Sequence, residues 1–144
     1  MIEQDPRNEI AANILGSIEL KQNDAIGARD LLTKSLPLQP RNAYGQVLLG
    51  SALQQLNQDK DAITHYRQAI QIDPNLYEAQ IALASIYEKH NEPKNAILFY
   101  KKAAEIHPGD VDPLRGLARS YLQAGMKEQA DQAIEEIRKR EASR

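Results

Sequence analysis

The sequence predicts an all-α protein, an array of four helix-turn-helix units. Three observations carry this. Pro6, Pro40, Pro74 and Pro108 stand in arithmetic progression along the chain. In register with them, the seventh position of each unit reads Leu15, Leu49, Leu83 and Leu117. The eighth reads Gly16, Gly50, Ala84 and Ala118, and the twentieth Ala28, Ala62, Ala96 and Ala130. Within each half-unit the apolar residues recur at helical spacing, so each unit holds two amphipathic helices. A fixed period of this length marks stacked repeats, none of which buries its apolar face alone.

The units run 9–42, 43–76, 77–110 and 111–144, with residues 1–8 ahead of them. Each first helix needs an N-cap, and Asn8, Asn42 and Asp110 stand two residues past a proline to supply it. Each first helix ends at a residue that accepts the left-handed conformation: Asn23, Asn57, Asn91 and Gly125. Pro93 suits the first turn of the helix that follows Asn91. Each second helix ends at the next proline of the series. Small residues at the eighth and twentieth positions leave room for the facing backbone where two helices cross. Tyr66, Tyr87, Tyr100 and Tyr121 fill the space beside the crossings.

The two ends differ. Ile2-Glu3-Gln4-Asp5-Pro6 can be laid on Ile70-Gln71-Ile72-Asp73-Pro74, so residues 1–8 read as the tail of a preceding repeat cut from a longer protein, or as a short N-terminal extension. In the last unit Asp131, Arg138 and Arg140 replace residues that are apolar in the middle units, and Ala142 replaces the proline. A terminal repeat with no follower needs such a polar outer face, although Ile134 and Ile137 stay apolar there.

Composition narrows the function. The chain has 144 residues, 42% hydrophobic and 26% charged, with a net charge of −2. That charge gives no global field to draw nucleic acid or an anionic membrane. No apolar run reaches the length of a membrane span. There is no cysteine for a disulfide or a thiolate metal site, and its absence suits cytoplasm and bacterial periplasm alike. His65, His90 and His107 fall at different places in their units and form no two-histidine metal pair, so all three read as surface residues. No phosphate loop, nucleophile elbow or other catalytic constellation occurs, and no cofactor is implied. Phe99 falls near the outside of a second helix, where partial burial is expected.

The 34-residue unit resembles the tetratricopeptide repeat. The unit 43–76 matches that family's pattern at Leu49, Gly50, Ala62, Tyr66, Ala69 and Pro74. The unit 77–110 matches at Leu83, Ala84, Tyr87, Ala96, Tyr100, Ala103 and Pro108. Glu19 departs where the family prefers tyrosine, and Ala12, Gln46, Gln80 and Leu114 stand where it places tryptophan. The resemblance implies a right-handed superhelix, an α-solenoid whose first helices line a concave groove. It also implies a non-catalytic scaffold that holds a peptide or helix of a partner protein there. Carried over by register, the groove positions are Asn13 and Ser17 in the first unit, then Tyr44, Val47, Ser51 and Gln54 in the second. Glu78, Ile81, Ser85 and Glu88 follow in the third, and Arg115 and Arg119 in the fourth. Ile10 and Asp112 share the same face. Arg115 and Arg119 either grip a carboxylate or pair with Asp112 and Glu88.

The family's clamp for acidic chaperone tails needs a positive cluster. Its places hold Asn13, Ser17, Leu48, Glu78 and Ala82 in one register, and Val47, Ser51, Ala82, Asp112 and Gly116 in the other. Neither supplies it, and a near-neutral groove implies weakly salt-dependent binding. Two other readings stay open: self-association through the repeat ends, and a segment of a bacterial envelope or exopolysaccharide-export protein.

Overall fold

A computed structural model describes residues 8–144, so the segment 1–7 read as a repeat tail lies outside the described residues. The protein is all-α, with eight helices and no strand among those residues. It divides into two compact units, Met1–Ala79 and Gln80–Arg144. The first holds α1 (Glu9–Lys21), α2 (Ala25–Ser35), α3 (Ala43–Gln55) and α4 (Asp59–Ile72). Helix α5 (Tyr77–Lys89) runs across the division, and the second unit continues with α6 (Pro93–Ile106), α7 (Asp112–Gln123) and α8 (Lys127–Ala142).

The turn chemistry explains the helix ends. Asn23, Asn57 and Asn91 adopt φ of 62°, 59° and 57°, and Gly125 adopts 74°. Asparagine and glycine enter this region at low cost, which stops each first helix at the same point of the period. The Asn8 side chain accepts the Ala11 N–H at 3.0 Å, and Asn42 accepts that of Gly45 at 2.8 Å. Asp110 departs from its expected capping role. Helix α7 starts at Asp112 with Val111 at the cap position, and the Asp110 carboxylate accepts the Asp112 N–H at 2.9 Å. Pro113 offers no N–H in that first turn, so the side-chain bond forms one step earlier. Sequence reasoning missed a further cap, Asp24, which accepts the Gly27 N–H at 2.8 Å.

Helix α2 is shorter than its counterparts. It ends at Ser35 and tightens into a 3-10 turn at Leu36–Leu38, ahead of Pro40. Pro37 is the cause, because its ring removes a donor and collides with the preceding turn.

Within the first compact unit α1 packs on α2, both pack on α3, and α3 packs on α4. Within the second, α6 packs on α7 and α7 on α8. Ala28, Ala62, Ala96 and Ala130 are fully buried. What the small eighth-position residues admit is a facing side chain rather than facing backbone. A β-carbon on Gly50 would lie 2.6 Å from the Tyr66 ring, and one on Gly16 would lie 3.2 Å from Leu32. Asn42 is fully buried yet satisfied, trading amide hydrogen bonds with Asn13 at 2.9 and 3.1 Å and donating to Gln39 at 2.7 Å. Such a network stabilises only when every member is paired.

Candidate functional site

On the first compact unit, the expected binding face is carried by α1 and α3. Ile10 and Tyr44 stand one period apart, in the same register. Both are exposed, at 73% and 41%. Ser17 and Ser51, two turns further along the same helices, are half-buried, and Glu78 is exposed. Asn13 is engaged with Asn42 and so supports the face as well as lining it. Gln54 accepts the Tyr66 hydroxyl at 2.5 Å. Burial pushes that phenol well above its ordinary pKa, so it stays a donor. Val47 departs from its assigned place. At 8% exposure it belongs to the core beneath the face, where burying a valine is favourable by about 1.5–3 kcal/mol.

On the second compact unit, Ile81 is half-buried and Ser85 exposed. The arginines are committed internally. Arg115 donates to Asp112 at 2.8 Å and to Glu141 at 2.5 Å. Arg119 grips Glu88 through Nε at 2.6 Å and Nη2 at 3.3 Å. The Tyr100 hydroxyl donates to the same carboxylate at 2.5 Å. Burial pushes the Glu88 carboxyl up, but the hydrogen bonds from Arg119 and Tyr100 and the Arg119 charge outweigh it, so its pKa falls below the ordinary value. Of the two readings for these arginines, pairing with Asp112 and Glu88 is the arrangement present.

Some features escaped sequence reasoning. His65 is half-buried rather than a surface residue, and its Nδ1 lies 2.8 Å from Gln46 Oε1. Burial lowers its pKa below the usual imidazole value. A cavity of about 330 Å³ opens beside this pair, between α2, α3 and α4, with Leu36, Pro37 and Leu49 in its wall. Phe99 is partly buried as expected, and it stacks on Tyr87 with ring centroids 5.7 Å apart. Phe99 falls at the period position that His65 holds one unit earlier, and Tyr87 at that of Leu53. Glu19 keeps a buried carboxylate oxygen without a hydrogen-bond partner, and burial together with Asp24 raises its pKa.

Among the described residues no group of three histidine, cysteine or acidic side chains could hold a metal ion. Among them, too, no helix is long and apolar enough to cross a membrane.

A tetratricopeptide (TPR) repeat model matches residues 50–91, and a second tetratricopeptide repeat model matches residues 89–144. No curated relative matches the chain. The fold is similar to a crystal structure of MamA, with a TM-score of 0.89 and 24% identity over 96% of this chain and 81% of that one. It is also similar to a structure of MamA AMB-1, with a TM-score of 0.82 and 22% identity over 99% of this chain and 87% of that one. A MamA RS-1 double mutant gives a TM-score of 0.85 at 17% identity, over 96% of this chain and 78% of that one. At these identities the likeness is one of fold. The repeat models together span residues 50–144, and on that match the chain belongs to the tetratricopeptide-repeat family.

Proposed function

We propose that this protein is a non-catalytic interaction scaffold of four repeats, 9–42, 43–76, 77–110 and 111–144, which binds a segment of a partner protein along its first helices. Family membership supports the protein-binding class. The observation that favours this face is the exposure of Ile10 and Tyr44 at one register on α1 and α3. Exposed apolar side chains that share a face with polar ones, here Ser17, Ser51 and Gln54, are the kind of surface that binding anchors occupy. Tyrosine adds a hydroxyl to a large apolar ring and gives up little conformational freedom on binding. A partner offering an apolar anchor with flanking hydrogen-bonding groups fits this face. Arg115 and Arg119 hold their own carboxylates, so a free acidic terminus is not the preferred ligand.

The test is capture of partners from lysate by the parent chain, by Tyr44→Ala and by Leu98→Ala, the last altering an exposed apolar residue on α6. The reading predicts a protein retained by the parent and by Leu98→Ala and lost by Tyr44→Ala. Retention by Tyr44→Ala, with loss on Leu98→Ala, would move the contact to the second helices.

A further inference from the structure

Helix α1 and the α7–α8 pair each expose apolar side chains, and the register of the repeat says what each fits. Ile14 and Ile18, on α1, are 51% and 44% exposed. One period later Leu48 and Ala52 hold the same places on α3 and are buried, with α1 and α2 packed on that helix. On α7 those places are Gly116 and Ser120. A β-carbon at Gly116 would run into the Tyr100 ring, and Ser120 is fully buried. So this register is covered on α3 and on α7.

Leu122 on α7 is 55% exposed, and Ile134 on α8 is half-buried. They stand one period beyond Glu88 and Tyr100. Those two are the residues that reach the next first helix, Tyr100 against Gly116 and Glu88 to Arg119. By the same register Ile134 faces the Ile14 position of a following helix pair, and Leu122 faces the Ser17 position next to Ile18.

We propose that a second copy of this chain docks head to tail, Leu122 and Ile134 of one copy closing over Ile14 and Ile18 of the next. The contact continues the register of the repeat: Ile134 meets Ile14 as an apolar pair, and Leu122 lies over Ser17 beside Ile18. It stands independently of the groove reading. The charges on α8 do not oppose it. Arg140 is held by Glu136 at 2.8 Å and donates to the Pro108 carbonyl. The place of Asp131 is already charged in the first repeat, where Arg29 pairs with Asp30 while α2 packs on α3. Each copy uses two different surfaces, so association leaves free ends and grows with concentration.

Sedimentation velocity over a concentration series tests this with the parent chain, Ile14→Glu and Leu122→Glu, both at exposed positions. The parent is expected to grow in size with concentration and each variant alone to stay monomeric. An equimolar mixture of the two variants is expected to form a species of twice the monomer mass and nothing larger, since one keeps a working tail and the other a working head. Circular dichroism verifies helix content, and Ile14→Ser with Leu122→Ser repeats the test should either glutamate unfold the chain. A parent that stays monomeric, variants that assemble like the parent, or a mixture that stays monomeric would each overturn the proposal.

Discussion

Two hydrogen bonds in the same register set the compact units apart. In the first, Tyr66 donates to the neutral amide of Gln54; in the second, Tyr100 donates to the Glu88 carboxylate, each at 2.5 Å. The donors are one period apart, as are the acceptors. Exchanging an amide for a carboxylate at one position leaves the tyrosine in place and recruits Arg119 besides. The terminal repeats use Leu20 with Leu32 and Leu122 with Ile134 at the same two places, with no polar bond at all. The period therefore fixes where a side chain lies, and leaves its chemistry free to vary. In such an array specificity belongs to the varying positions and stability to the recurring ones.

The largest effects come from breaking what pins the two tyrosines. Each ring lies between its hydroxyl acceptor and a glycine, Gly50 for Tyr66 and Gly116 for Tyr100. Gly50→Ala and Gly116→Ala should each cost about 1–3 kcal/mol, since each added β-carbon would run into a buried ring. Gly16→Ala meets only the Leu32 side chain at 3.2 Å. Its gain in helix propensity, up to about 1 kcal/mol, offsets the tighter contact. Urea unfolding of the three variants would show the contrast, and equal losses at Gly16 and Gly50 would contradict it.

Removing the hydroxyls is the next step down. Tyr100→Phe should cost about 1.5–2 kcal/mol because its acceptor is charged, and Tyr66→Phe about 1 kcal/mol because its acceptor is neutral. The same unfolding experiment ranks them. A larger loss at Tyr66 would mean that Arg119 alone satisfies Glu88.

The smallest effects are pH slopes. The depressed pKa of Glu88 contributes stability that is full above the ordinary carboxylate value and is lost as pH falls through the depressed one. Gln54 has no counterpart, so Glu88→Gln should flatten the acid limb of a Tm–pH profile and Gln54→Asn should leave it unchanged. His65 acts in a higher window. Its pKa lies below 6.5, so the unfolded chain takes up the proton first and stability falls as pH drops below that value. His65→Gln should remove that slope.

Much of this was legible beforehand because the period repeats in sequence. The left-handed asparagines, the buried alanines and the Asn42 cap follow from local chemistry at fixed offsets. The Asp110 and Val47 assignments failed for the opposite reason: each was carried over by register where a neighbour differs. Pro113 alters the start of α7, and the core draws Val47 inward. Pro37 shortens α2 although the proline series points to Pro40. The Gln54–Tyr66 and Glu88–Tyr100 bonds were legible in principle, as polar–tyrosine pairs twelve residues apart that recur one period later. The cavity at His65 was not, because its wall is assembled from side chains of three helices and the turn at Leu36 and Pro37.

The first-helix face around Tyr44 is proposed to carry the protein contact. Hydrogen exchange of the chain alone and with a captured partner tests it most directly. Slowed exchange is expected in 9–21 and 43–55, the spans of α1 and α3, with α8 unchanged. Protection confined to α8, or to the second helices, would contradict it.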